Sequence, residues 1–266
     1  MALLHVNFFS DVLGMCMNMD VILPQQTKNQ IGMKGTRKDG KIPTLYLLHG
    51  MSDDHTIWQR RTSIERYVSE MGIAVVMPTT HLGWYTNTTY GLNYWTFISE
   101  ELPMICRSFF ANLSERREDT FVAGLSMGGY GAFKLALGAS DTFGAAASLS
   151  GALNARRRET DSHARTQRTF WEGIFGPLDQ IKGSSNDLMT LAEQLIQSGK
   201  PLPKLFMWCG TEDFLLEENE MMYQYFKEMG FDVTYTKGPG GHQWECWDEQ
   251  IQNVLKWLPI RSEKHK

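Results

Sequence analysis

Apolar residues in this chain fall into short unbroken runs separated by stretches of helical periodicity. Thr44-Leu45-Tyr46-Leu47-Leu48 is one such run, and residues 72–78, Thr120-Phe121-Val122-Ala123, 143–149 and 204–209 are others. A run of this length without polar alternation reads as a strand buried on both faces. Residues 6–9 and 18–23 read as two earlier strands around a turn near Gly14, and residues 232–236 as the last strand. Helical periodicity covers 57–71, 94–110, 131–137, 217–229 and 247–258, with Pro103 expected to kink the second. Strands alternating with helices predict an α/β class chain: a mostly parallel sheet with helices on both faces.

Two stretches break the rhythm. Residues 25–41 are polar, rich in Lys and Gly, and read as an exposed loop. Residues 152–201 are too long for a simple connection and carry Arg156-Arg157-Arg158 beside Phe170-Trp171 and Phe175. They read as a lid or cap inserted into a single domain spanning 1–266, over the C-terminal edge of the sheet. The arginine run reads as a solvated helix face, with contact to an acidic substrate as the alternative.

Composition narrows the partners. A length of 266 residues is enough for one large core, and 42% hydrophobic with 21% charged residues is ordinary for a globular chain. The net charge of −4 gives no electrostatic case for nucleic acid. Cys16, Cys106, Cys209 and Cys246 are far apart with no C-x-x-C pair, which argues against structural zinc and for reduced thiols. The first residues have neither a basic segment nor a long apolar core, so no signal peptide and no membrane span are expected, and the cytoplasm is the expected compartment.

The chemistry starts at Gly124-Leu125-Ser126-Met127-Gly128-Gly129, between a strand-like run and a helical one. A serine between glycines at a strand-to-helix turn is the nucleophile elbow of a serine hydrolase. The tight turn pushes the hydroxyl out of the sheet, at the start of a helix whose N-terminus favours developing negative charge. A serine hydroxyl also needs a base and an acid to orient that base. The chain order Ser, Asp or Glu, His leaves His163, His242 and His265 as bases. His163 lies in the polar insertion and His265 in a charged tail. His242 lies in a glycine-rich loop between the last strand and the last helix, where a base reaches the sheet edge. Asp213 follows the 204–209 strand and is the expected acid, with Glu212 its near competitor; Asp141 and Asp232 lie at the opposite edge, and Asp161, Asp179 and Asp187 in the insertion. The alternative for Asp213 is a cap for the helix near Glu217. Oxyanion donors are expected from the backbone N–H of Met127 and, in the loop His49-Gly50-Met51-Ser52, of Met51. His49 is expected to fix that loop. Trp58, Trp84, Tyr85 and Trp244 are candidate substrate-binding aromatics, with Tyr90 nearby, and partly exposed core is the alternative.

With these residues in place the chain resembles the tributyrin esterase branch of the esterase D-like α/β-hydrolases. The resemblance is carried by Tyr46-Leu47-Leu48-His49-Gly50-Met51-Ser52, Gly83-Trp84-Tyr85-Thr86, Glu100-Glu101-Leu102-Pro103, Ala123 through Gly131, Ser150-Gly151-Ala152-Leu153, Trp208 through Leu215, and His242-Gln243-Trp244. It implies an α/β-hydrolase fold, the triad Ser126, Asp213 and His242, and oxyanion donors at Met51 and Met127. It also implies carboxylic ester hydrolysis (EC 3.1.1.-) of short acyl esters, with relatives acting on feruloyl or cinnamoyl esters or deacetylating sugars, and a homo-dimer or homo-tetramer. No metal or organic cofactor is called for. Gln243 stands where the family pattern has an acidic residue. S-formylglutathione hydrolases are similar in fold, but Ser52-Asp53-Asp54 lacks their cysteine and Gly124-Leu125-Ser126 lacks their Gly-His-Ser. A thioesterase of that kind, an acyltransferase and a non-catalytic binding protein on the same fold are the alternatives.

Overall fold

In the central strands every residue is buried, yet successive side chains belong to different layers. In a computed structural model describing residues 1–36, 40–160 and 167–260, Leu45 and Leu47 of β3 (Thr44–Leu48) face one hydrophobic layer and Tyr46 and Leu48 the other. Val75 and Met77 against Ala74 and Val76 repeat this in β4 (Ala74–Pro78), as do Phe121 and Ala123 against Val122 in β5 (Thr120–Leu125). The two-residue period of a strand thus feeds two cores, which is why these runs show no polar alternation.

The strands form one eight-stranded sheet in the order β1-β2-β4-β3-β5-β6-β7-β8. From β4 to β8 all pairings are parallel, through β6 (Ala145–Leu149), β7 (Lys204–Gly210) and β8 (Val233–Gly238). The antiparallel hairpin β1 (Ala2–Ser10) and β2 (Met15–Leu23) extends the sheet, with Ala2 opposite Leu23 and Ser10 opposite Met15. Both strands outrun their apolar runs because alternate positions such as His5, Asn7 and Asn18 face solvent and interrupt the pattern. Gly14, at φ 66°, takes the left-handed position of the turn.

One layer is covered by α1 (Ile57–Arg61), α2 (Ile64–Val68) and the last helix, Trp244–Trp257. The expected single helix over 57–71 is broken at Thr62, which is extended; its hydroxyl bonds the Trp58 carbonyl and accepts from Ile64 N–H, drawing the chain out of the helix. The other layer carries α3 (Tyr94–Thr96), a π turn at Phe97–Glu101, α4 (Leu102–Phe109) and α5 (Met127–Gly138). The irregularity expected at Pro103 lies just before it, in the π turn. Proline lacks the N–H that would complete the preceding helical turn, and the wider π register accommodates this.

Within 152–201 the described residues form a 3-10 turn at Ala155–Glu159, α6 (Arg168–Phe175), a 3-10 turn at Leu178–Gln180 and α7 (Leu188–Ser198). Leu191 of α7 packs beside Gly138 of α5. The remaining helices are α8 (Leu216–Glu228) and α9, the Trp244–Trp257 helix named above. His163 and Asp161 in the insertion, and His265 in the tail, lie outside the described residues. Among the described residues no helix is long and apolar enough to cross a membrane, and no cluster of His, Cys, Asp and Glu could hold a metal ion. All four cysteines are free.

Candidate active site

Four loops leave the C-terminal ends of β3, β5, β7 and β8, and each brings one part of the site. The loop after β5 is a single residue. Ser126 has φ 51° and ψ −117°, a conformation that a side chain rarely adopts, between the last residue of β5 and the first of α5. Its N–H donates to the Leu149 carbonyl at 2.9 Å, and its carbonyl accepts from Ala152 N–H at 3.2 Å. The flanking glycines are required by close approach. A Cβ on Gly124 would lie 2.4 Å from the Gly128 carbonyl carbon, and one on Gly128 would lie 2.6 Å from the carbonyl oxygens of Leu48 and His49. The elbow and the loop after β3 are therefore in backbone contact.

That loop is tied down from several sides. His49 is buried, with Nδ1–H donating to the Gly50 carbonyl at 2.7 Å and Nε2 accepting from Thr80 N–H at 3.0 Å. Burial pushes its pKa down to about 4, so the ring is neutral and both nitrogens are occupied. Trp58 Nε1 donates to the Leu48 carbonyl at 2.9 Å, and Tyr85 Oη to the His49 carbonyl at 2.8 Å. These two rings are buried and line neither of the clefts described below. A buried indole or phenol needs an acceptor for its polar end, and the carbonyls leaving β3 supply it. Met51 lies beyond these fixed carbonyls and lines both clefts. Met127, as the first residue of α5, has an N–H with no acceptor inside the helix.

Asp213 and His242 meet across the ends of β7 and β8. His242 Nδ1–H donates to Asp213 Oδ2 at 2.9 Å, with Oδ1 at 3.2 Å; the carboxylate is buried and the imidazole 19% exposed. Burial would raise the Asp213 pKa, but hydrogen bonds from His242, Leu215 N–H and Ser150 outweigh it and hold the carboxyl below its ordinary value. Asp213 Oδ1 also accepts from Leu215 N–H at 2.9 Å, just ahead of the next helix, although no side chain caps that helix. Glu212 turns away: its exposed carboxylate accepts Gly240 N–H and braces the loop that carries His242.

Ser126 and His242 line a common cleft of about 770 Å³ with Met51, Asp53, Trp244 and Trp247. A second cleft of about 310 Å³ also opens on Ser126, between Trp84, Trp171, Arg157, Arg158 and Glu218. Ser126, Met51 and Phe214 are common to both, so Ser126 sits where the two meet. Of the four candidate aromatics, Trp84 lines the smaller cleft and Trp244 the larger.

The sequence assigns no role to several residues at the site. Phe214 lies against the His242 ring at 4.7 Å, and Trp247 meets it edge-on at 4.8 Å. Trp247 Nε1 donates to Ser150 Oγ at 3.2 Å, and Ser150 in turn bonds Asp213. Ser150 has φ 48°, the same left-handed region as Ser126 one strand away. The arginine run is not a uniform solvated face. Arg156 pairs with buried Asp187 at 2.6 Å, Arg157 meets Glu218 at 3.5 Å, and Arg158 lies over the rings of Trp171 and Trp84 at 4.2 and 5.2 Å.

Comparison with known proteins gives the family. The family model described as "Putative esterase" matches residues 10–258. An acetyl esterase of Caldicellulosiruptor saccharolyticus is 31% identical, over 97% of this chain and 98% of its own. The substrate-bound structure of FphF, a fluorophosphonate-binding serine hydrolase of Staphylococcus aureus, is 34% identical with a TM-score of 0.84, covering 98% of this chain and 99% of that one. An S-formylglutathione hydrolase (FrmB) structure from the same organism is also 34% identical, with a TM-score of 0.81 and coverage of 97% and 98%. The sheet with its helices is the α/β-hydrolase fold of these neighbours.

Proposed function

This chain belongs to the esterase family as a carboxylic ester hydrolase, and we propose that it is a serine esterase working through Ser126, Asp213 and His242. The observation that carries this reading is the strained Ser126 on the same cleft as a histidine whose Nδ1 is held by a buried carboxylate. With Nδ1–H committed to Asp213, Nε2 is the nitrogen that takes the serine proton. The serine oxygen attacks the ester carbonyl, and the Met51 and Met127 N–H groups hold the oxyanion. Asp213 stabilises the imidazolium, which protonates the departing alcohol. Water activated by the same imidazole then frees the acyl group.

Because His242 lines only the larger cleft, the alcohol leaves on that side and the acyl chain occupies the smaller one. Trp84 contacts the acyl chain and Trp244 the alcohol, while Trp58 and Tyr85 act by fixing the oxyanion loop. Residues 152–201 serve as the cap, with the Ala155–Glu159 turn and α6 walling the acyl side. The substrates are short acyl esters of the acetyl and tributyrin kind or feruloyl esters, and the protein works in the cytoplasm as a homo-dimer or homo-tetramer.

A thioesterase is the second reading, favoured by the 34% identity to a staphylococcal S-formylglutathione hydrolase. One panel tests both: kcat/KM for aryl acetate, butyrate and octanoate, methyl ferulate and S-formylglutathione. Wild type is expected to turn over the short oxygen esters best. Ser126→Ala should fold normally and lose turnover by about 10⁴-fold or more. Near wild-type turnover in that variant would overturn the assignment, and S-formylglutathione as the best substrate would favour the second reading.

A further inference from the structure

The turn Gly83-Trp84-Tyr85-Thr86 is built from residues that disfavour it. Thr86 N–H closes it on the Gly83 carbonyl at 3.0 Å, and its two central residues, Trp84 and Tyr85, have φ of 49° and 52°. Side chains rarely adopt this left-handed region, which turns normally give to glycine or asparagine. Such a turn persists only where its surroundings hold it. The Tyr85 ring is seated on α5, where a Cβ on Gly131 would lie 2.3 Å from it. One turn further along the same helix, Lys134 Nζ donates to Thr86 Oγ1 at 2.6 Å, at the closing end of the turn.

The same amino group holds the insertion. Nζ also donates to Asn186 Oδ1 at 2.7 Å, and the Thr86 hydroxyl donates to that oxygen as well. Asn186 lies just ahead of α7; its carbonyl accepts from Tyr130 Oη at 2.8 Å, and its Nδ2 lies 3.5 Å from the Phe175 carbonyl at the end of α6. Phe175 packs with Trp84 and Trp171, which meet each other edge-on at 5.2 Å and line the smaller cleft beside Ser126. Trp84 comes from the strained turn and Trp171 from α6, so the two tryptophans of that cleft belong to the two segments that Lys134 joins to α5. Lys134 is buried, and both of these acceptors are neutral. An amino group held by neutral acceptors gains little stability over an apolar side chain of similar size, but its donors fix two segments at one point.

We propose that Lys134 is a positioning residue for acyl selection. By tying the Gly83–Thr86 turn and the insertion to α5, the helix that begins beside Ser126, it sets where Trp84 and Trp171 stand and hence the acyl chain that the smaller cleft accepts. The inference rests on the serine esterase reading and on the acyl chain entering that cleft. A butyryl chain carries two more methylenes into the cleft than an acetyl group, so it loses more when the walls move. A methylene in a fitted apolar pocket is worth about tenfold or more in kcat/KM.

The test measures kcat and KM for aryl acetate and aryl butyrate in wild type, Lys134→Met, Thr86→Val and the double variant, with Ser126→Ala as the blank for spontaneous hydrolysis. In each single variant the butyrate-to-acetate ratio of kcat/KM should fall about tenfold. The fall should come through KM for butyrate rather than kcat, because wall contacts act on bound substrate and transition state alike. The double variant should fall no further than the larger single loss, since both substitutions remove the same link. An unchanged ratio, equal losses on both esters, or losses that add in the double variant would overturn the proposal while sparing the esterase reading. Absence of wild-type turnover, or equal turnover in Ser126→Ala, would overturn both. Should Lys134→Met not fold, the ratio in Thr86→Val decides.

Discussion

Both ring nitrogens of His49 are spent on backbone groups inside the core, and its pKa is about 4 against an ordinary 6.5. The unfolded chain therefore takes up a proton as pH falls below about 6.5, while the folded protein does not until about 4. Stability contributed by the neutral ring is complete above 6.5 and is lost across that window, by about 3 kcal/mol. Urea melts between pH 7 and pH 4 should show this acid limb, and His49→Gln, whose amide can donate and accept in the same directions, should flatten it. An equally steep limb in the variant would contradict the assignment. At this scale the proposed reacting residues were legible because chemistry restricts both their type and their strand edge: a serine elbow, a histidine loop after the last strand, and Asp213 or Glu212 after β7. Trp58 and Tyr85 were not, because a sequence shows an aromatic ring but not the carbonyl that its polar end will find. Phe214, Trp247 and Ser150 escaped for the same reason: they act through contacts made only in the fold.

The elements place these residues by backbone contact. Gly128 lets α5 begin against the carbonyls of Leu48 and His49, so the elbow and the loop after β3 share a boundary with no spare volume. Gly128→Ala should cost about 3 kcal/mol by overpacking, which for a domain of this size lowers Tm by roughly 6–12 °C. Calorimetry checks this, and an unchanged Tm would mean that the loops are not in contact. Strand identity was readable from unbroken apolar runs, since a strand feeding two cores leaves no other pattern. Helix continuity was not. The break at Thr62 depends on a hydroxyl choosing backbone partners, and the π turn at Phe97–Glu101 on how the chain absorbs Pro103.

On the scale of the molecule, Lys134 gathers three distant segments. Its ammonium is buried inside α5, 2.6 Å from Thr86 Oγ1 and 2.7 Å from Asn186 Oδ1, with the Trp95 ring at 5.1 Å. Burial pushes its pKa well down. Between that lowered value and about 10.4 the unfolded chain binds the extra proton, so folded stability rises with pH through the window. Lys134→Met should be neutral or stabilising at pH 7 and should remove the rise toward pH 10, as read by melts at the two pH values. A large loss of stability at pH 7 would show that the lysine's bonds outweigh its desolvation. The mostly parallel sheet was implied by the strand and helix alternation, but its order, with β3 between β4 and β5, was not. The uses of the three arginines were not, because a charge run looks alike whether it faces water, Asp187 or a tryptophan pair.

The central claim is that Ser126 is the nucleophile of a serine esterase. The most direct measurement is intact mass after treatment with a fluorophosphonate, followed by peptide mapping. The account predicts one phosphonyl adduct per chain, on Ser126, formed in parallel with loss of ester hydrolysis and absent from Ser126→Ala. Full esterase activity without an adduct, or an adduct on another residue, would contradict it.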